Sequence, residues 1–229
     1  MKHRPLVCAS LMEPSPEELI EAARSAANAD LIEARIDALE NPDAQSVEGL
    51  LRRLRKVSGK EIILTIRPAN EGGSFRGDED ERKTLLEAGL HEAGYVDVEL
   101  DAPFLTPILE KAAEAGTQVI VSHHDFQATP PKEDMLSLLR RECAAGADIA
   151  KLAVTANSPR DVLTLLEVTM EASKTGRVCT ISMGEHGRLS RIAAPLFGSV
   201  LVYGYVSRPT APGQMSVAQV RRGLEILGM

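Results

Sequence analysis

A repeated alternation limits the folds open to this chain: a short apolar run, then a segment with helical spacing, eight times over. Strand-like runs fall at residues 6–12, 30–37, 61–68, 95–101, 117–126, 148–154, 177–184 and 200–206. Helical spacing is clear in Val47, Leu50, Leu51, Leu54 and Val57, and again in Val217, Val220, Leu224 and Leu227. Ser15-Pro16 and Ser158-Pro159 each put a capping serine before a proline at the first helical position. Gly116, Gly146 and Gly176 stand just past helical runs and before strands, where C-terminal stops belong. Strands alternating with helices call for a parallel sheet. Eight such units in 229 residues predict an α/β protein, a (β/α)₈ TIM barrel formed as one domain over residues 1–229. A doubly wound open sheet is the alternative, but it usually needs fewer strands, and no glycine-rich fingerprint follows the first run.

Composition narrows the function classes. A net charge of −7 argues against a nucleic-acid surface, though not against a small anion held by a few local arginines. No apolar run approaches the length that spans a bilayer. The opening MKHRPLVCASLM is basic, but its apolar part is too short for a signal peptide. The cysteines Cys8, Cys143 and Cys179 are odd in number and form no CxxC pair, as expected of reduced thiols in a cytoplasmic protein.

Within a barrel, alternate strand residues face the lumen and the helix layer. In the second run, Ile32, Ala34 and Ile36 suit the helix side, which turns Glu33 and Arg35 inward with Leu31 and Asp37. In the fourth, Val96, Val98 and Leu100 alternate with Asp97, Glu99 and Asp101. In the sixth, ADIAKLAV (residues 147–154), Ala150, Leu152 and Val154 alternate with Ile149, Lys151 and Ala153. The lumen is therefore expected to hold Glu33, Arg35, Asp97, Glu99 and Lys151. A self-satisfying ionic core would explain each of these alone, but apolar packing would be at least as stable as the whole cluster. Other polar residues gather at the strand ends: Arg67 and Glu71 after the third, Ser122-His123-His124-Asp125 at the fifth, Met183, Ser190 and Arg191 at and after the seventh, Thr210 to Gln214 after the eighth. Those ends share the face on which such barrels build active sites.

A lysine desolvated among other cations loses its proton readily and becomes a nucleophile toward carbonyl carbon, giving an imine that acts as an electron sink. The apolar neighbours of Lys151 are expected to favour the neutral amine. A base must then remove a proton from the adjacent carbon, and histidine titrates in the right range. Alternation places His124 with Ser122 and Ile120 on the lumen side; His123 packs outward or caps the loop. Glu71 suits the role of orienting the histidine, and Arg67 and Arg191 that of gripping a carboxylate or hydroxyls. The loop SRPTAPGQMS has the small and turn-forming residues of a lid. A metal site at His123-His124-Asp125 is the competing chemistry, but neighbouring strand residues point to opposite sides and do not readily share one ion.

These motifs carry a resemblance. EARID, TIRPANEGG, YVDVELD, VSHHDFQATP, DIAKLAV, ISMGEHGRLSR, FGS and APGQMS, in this order, resemble the type I 3-dehydroquinate dehydratases over essentially the whole chain. The resemblance implies a (β/α)₈ barrel and a hydro-lyase of the shikimate pathway that converts 3-dehydroquinate to 3-dehydroshikimate. It implies Lys151 as the imine-forming residue, His124 as the proton-transfer group and Glu71 as its partner. Substrate contacts fall by the same resemblance on Ser10, Glu33, Arg35, Arg67, Met183, Arg191, Thr210 and Gln214. It implies no metal or organic cofactor and a homodimer. Thr210 stands where the family often has serine, keeping the hydroxyl, and His123 where it often has an aromatic residue. A class I aldolase-like barrel would share the lysine but has no evident need for SHHDF or APGQ. A non-catalytic anion-binding barrel would tolerate the loss of Lys151.

Overall fold

The computed structural model describes residues 4–229. Eight strands appear where the apolar runs stand, each trimmed or shifted by one to three residues: β1 (Leu6–Leu11), β2 (Leu31–Arg35), β3 (Glu61–Thr65), β4 (Tyr95–Glu99), β5 (Gln118–Asp125), β6 (Ile149–Thr155), β7 (Val178–Met183) and β8 (Leu201–Tyr205). Between and after them lie α1 (Pro16–Arg24), α2 (Ala44–Ser58), α3 (Glu79–Gly89), α4 (Leu105–Ala115), α5 (Lys132–Ala145), α6 (Pro159–Ala172), the single turn α7 (Ser190–Ala193) and α8 (Val217–Ile226). All neighbouring strands pair in parallel in the order β7-β6-β5-β4-β3-β2-β1-β8. The seam between β7 and β8 is drawn together by a bridge from Val178 to Ser199 and by the Val200 N–H donating to the Val178 carbonyl at 2.9 Å. The result is a nearly closed (β/α)₈ barrel.

Local chemistry accounts for the elements. In α2, Asp43 accepts from the Ser46 N–H at 2.9 Å and Ser46 answers the Asp43 N–H at 3.0 Å, so both ends of a capping box are made. The helix stops at Gly59, whose φ of 65° is the left-handed conformation glycine adopts at low cost. Val47, Leu50, Leu51 and Leu54 are buried on its one apolar face, and each fully buried leucine contributes about 2 kcal/mol by area. Gly116 and Gly146 end α4 and α5 in the same left-handed way. Gly176 does not: α6 already ends at Ala172 with Ser173 as its cap, and Gly176 lies beyond them. Leu227 also departs from its expected place, lying past the end of α8 and 40% exposed, because the apolar stripe of that helix is complete at Leu224.

The alternation places two cores. Ile32, Ala34, Ile36, Val96 and Val98 pack against the helices in one cluster, and Ala150, Leu152 and Val154 with residues of α5 and α6 in another. A separate lumen cluster holds Cys8, Ile63, Ile120, Ile149, Cys179 and Tyr203. Alternation was carried too far at Asp101, which lies beyond the end of β4 in an exposed turn and pairs with Arg141 at 2.8 Å. Asp37 likewise lies beyond β2, in a 3₁₀ turn, yet stays buried. Among the described residues, no helix is long and apolar enough to cross a membrane.

Candidate active site

The polar ends of the strands meet above the lumen cluster. Lys151, in the middle of β6, is buried and ion-paired to Asp97 of β4 at 2.7 Å, with its ammonium 4.5 Å from the centre of the Tyr203 ring. The surroundings of Lys151 are not apolar throughout, as the sequence suggested, because Asp97 stands opposite the amine. A buried ammonium without a partner would be far costlier than one facing a carboxylate, and β4 supplies the carboxylate. The second oxygen of Asp97 accepts from Arg67 at 2.7 Å and from the Ser122 hydroxyl at 2.6 Å. Burial works to raise the Asp97 pKa, but Arg67 and then Lys151 hold it well below the usual carboxylate range. Arg67 also donates to Glu99 at 2.6 Å. Glu99 therefore partners arginines, not Lys151.

At the next level of β5, His124 faces Glu71. The imidazole Nδ1 and the His124 backbone N–H lie 2.9 and 3.1 Å from the same Glu71 oxygen, which leaves Nε2 for the cavity. Burial pushes His124 well below its ordinary pKa, and the cations Arg67 and Lys151 push the same way. Burial raises Glu71 to about 7. Glu71 reaches the histidine because the loop after it lies against the site. A Cβ on Gly72 would sit 2.2 Å from the Phe126 ring, and one on Gly73 would sit 1.9 Å from the Arg67 carbonyl oxygen. His123 shares its face with Val121, a member of the helix-side core, and so points away from the lumen.

The opposite wall is built differently. Arg191, on α7, is 2% exposed, donates to the Pro212 carbonyl at 3.4 Å and leaves its Nε without a partner. Burial lowers it to about 10, with only Cys179 acting weakly in the other sense. Beside it the loop after β8 is folded down. Gln214 Oε1 accepts from the Thr210 N–H at 2.6 Å, and the Thr210 hydroxyl lies 3.0 Å from Ser10 Oγ. Gly213 (φ 68°) passes so close that a Cβ would sit 2.0 Å from the Gly184 carbonyl oxygen. Ser10 donates to Glu33, which also accepts from Thr65 at 3.1 Å. Arg35 is held by Asp37 through two bonds of 2.8 and 2.7 Å.

One cavity brings these residues together. Its lining includes Lys151, His124 and Glu71, the strand-end groups Ser10, Glu33, Arg35 and Arg67, and Met183, Arg191, Thr210 and Gln214 across from them. A family model described as type I 3-dehydroquinase matches residues 7–229. The chain belongs to this family. Its members are hydro-lyases, and so is this protein. A 3-dehydroquinate dehydratase of Methanococcoides burtonii is 40% identical over 99% of this chain and 96% of its own length. One from Methanocella arvoryzae is 44% identical over 89% of this chain and 90% of its own. Among solved structures, the 3-dehydroquinate dehydratase of Geobacillus kaustophilus superposes with a TM-score of 0.94 at 33% identity, covering 98% of this chain and 91% of that one. The type I enzyme of Clostridium difficile, solved with covalently modified comenic acid, gives 0.92 at 32% identity over 98% and 92%.

Two features of this type I 3-dehydroquinase site were not legible in the sequence. Tyr203 lines the cavity with its hydroxyl unpartnered and its pKa pushed well up by burial; in LVYGYV it reads as one more apolar strand residue. Arg82 reads as surface charge in the run EDERK, yet it is 2% exposed and bonded to Glu99. Only its three-residue spacing from Leu85, on the buried side of α3, hints at burial. Among the described residues, no group of three or more His, Cys, Asp or Glu gathers as a metal would require.

Proposed function

We propose that the protein dehydrates 3-dehydroquinate to 3-dehydroshikimate through an imine on Lys151. The observation that carries this reading is the one cavity that sets a buried lysine beside a His–Glu pair and opposite an arginine with no acidic partner. The covalently modified ligand in the Clostridium difficile relative agrees with covalent chemistry in this fold.

In this reading Arg191, helped by Thr210 and Gln214, binds the substrate carboxylate, and Glu33, Arg35 and Ser10 meet its hydroxyls. Lys151, after giving up a proton, adds to the C3 ketone, and loss of water leaves the imine. His124 takes the proton from C2 through Nε2 while Glu71 accepts from Nδ1, and the electron pair moves into the enamine. The pair then expels the C1 hydroxyl, which leaves as water with the proton held by His124. A second water hydrolyses the imine and frees the lysine. The imine itself is the electron sink, so this route calls for no cofactor. Met183 packs against the ring.

Borohydride reduction during turnover tests the route. The expected result is a single adduct on Lys151 by mass spectrometry, absent in Lys151→Met. A folded, substrate-consuming enzyme left unmodified at Lys151 would sink the reading.

A further inference from the structure

The ion pairs beneath Lys151 do not stop at the lumen. Asp97 uses one oxygen for Lys151 at 2.7 Å and the other for Arg67 at 2.7 Å. Arg67 holds one oxygen of Glu99 at 2.6 Å, and the other oxygen of Glu99 accepts from Arg82. Arg82 comes from the helix layer, on α3, and reaches in past the end of β3, where it also donates to the Ile66 carbonyl at 3.3 Å. It is fixed from behind by Glu79 at 2.6 Å and by the Phe104 ring, 4.7 Å from the guanidinium carbon. Arg82, Glu99, Arg67, Asp97 and Lys151 thus form a buried chain of alternating charge, every member at most 4% exposed.

We infer that Arg82 is a positioning residue for the reaction: its charge, placed outside the barrel wall, terminates the ion-pair chain that holds Lys151. This rests on Lys151 being the nucleophile. The reason is charge balance. With an ammonium at Lys151 the chain carries one net positive charge, and with the neutral amine none. Without Arg82 those totals become zero and one net negative, in a place where an unbalanced charge is costly. The chain would then hold the lysine's proton more tightly, and the amine would be freed less often. The other groups around the amine make no hydrogen bond to Arg82. They are His124 on β5, Cys179 on β7, Tyr203 on β8 and Cys8 with Glu33 at β1 and β2, with Glu142 behind on α5. Glu79 is half-exposed and its charge is screened by water.

The test is the pH profile of kcat in Arg82→Met, Arg82→Lys and the double variant Arg82→Met/Glu99→Gln, with KM and thermal melting measured alongside. In Arg82→Met, kcat at neutral pH should fall about tenfold with KM nearly unchanged, and the acid limb should move up by about one pH unit, the two being the same free energy. Arg82→Lys keeps the charge and should keep the limb in place. The double variant removes one charge of each sign and should return the limb to its wild-type position. A loss in Arg82→Met that is equal at every pH, or a limb that stays displaced in the double variant, would overturn the inference. If Arg82→Met does not fold, the double variant alone decides by where its limb falls. Wild-type trapping at Lys151 is read first; its absence condemns the imine reading whatever the Arg82 variants do.

Discussion

The two walls of the cavity handle buried charge in opposite ways. On the lysine side every charge has a partner: Lys151 with Asp97, Asp97 with Arg67, Arg67 with Glu99, and Glu99 with Arg82. On the other side Arg191 is as deeply buried and meets only a carbonyl at 3.4 Å, with its Nε unsatisfied. A fully paired cluster fixes geometry before any ligand arrives and carries no vacancy for one. An unpaired buried guanidinium is destabilising until an anion reaches it, so its cost is recovered only on binding. In the proposed function the contrast separates the wall that would perform the chemistry from the wall that would recognise a carboxylate.

Breaking the paired wall should have the largest effect. Asp97→Asn leaves Lys151 and Arg67 facing each other without their shared carboxylate, and stability should fall by about 3–5 kcal/mol, read by urea unfolding. If the loss is below about 1 kcal/mol, the wall is not a coupled unit. Breaking the unpaired wall should act on binding instead. Arg191→Met should raise KM by about 10- to 100-fold, the worth of a charged hydrogen bond, with a smaller change in kcat. Its stability should hold or rise, because an unsatisfied charge is removed. A destabilised variant with normal KM would contradict the contrast.

The histidine pair sits between the walls and gives the comparison a pH axis. Glu71, raised to about 7, loses its charge as the pH falls through that value, and with it the support for a proton arriving on His124. kcat should therefore decline below about pH 7. Glu71→Gln should remove the Glu71 share of that limb, leaving the share that Arg82→Met displaces, and lower the plateau about tenfold. For folding the sign is reversed. A carboxyl whose folded pKa lies above its unfolded value of 4.5 stabilises most below 4.5, and that contribution is lost as pH rises toward 7.

The smallest effect concerns an unpaired acid that faces no cavity. Glu142 of α5 is fully buried with both oxygens unpartnered, and burial pushes it up to about 10, so it is a neutral acid at neutral pH. Glu142→Met should stabilise the fold by about 1 kcal/mol or somewhat more at pH 7. Because the folded pKa is raised, the gain should shrink as pH falls from 7 toward 4.5 and be smallest below 4.5, where the unfolded chain is protonated too. Unlike Arg191→Met, it should leave KM alone. Unsatisfied polarity costs stability everywhere, but only where it borders the cavity does it serve a ligand.

Periodicity alone was enough for the barrel. Eight apolar runs separated by capped helical segments leave few other arrangements, and the serine caps and most glycine stops are local chemistry that a sequence displays directly. Strand alternation also gave the lumen positions of Glu33, Asp97 and Lys151, because side chains on a pleated strand must take turns between two faces. It failed at Asp101, where the strand ends and the rule ends with it.

Pairing was the work of tertiary structure. Which carboxylate meets Lys151, and that Glu99 turns to two arginines, depends on stagger between strands and on loops brought in from distant positions. Arg82 and Tyr203 show the limit most clearly. One reads as surface charge and the other as core filling, since a sequence states what a residue is but not what stands opposite it. In a buried site the partner decides whether a charge is fixed, free or available to a ligand, and partners are chosen only when the barrel closes.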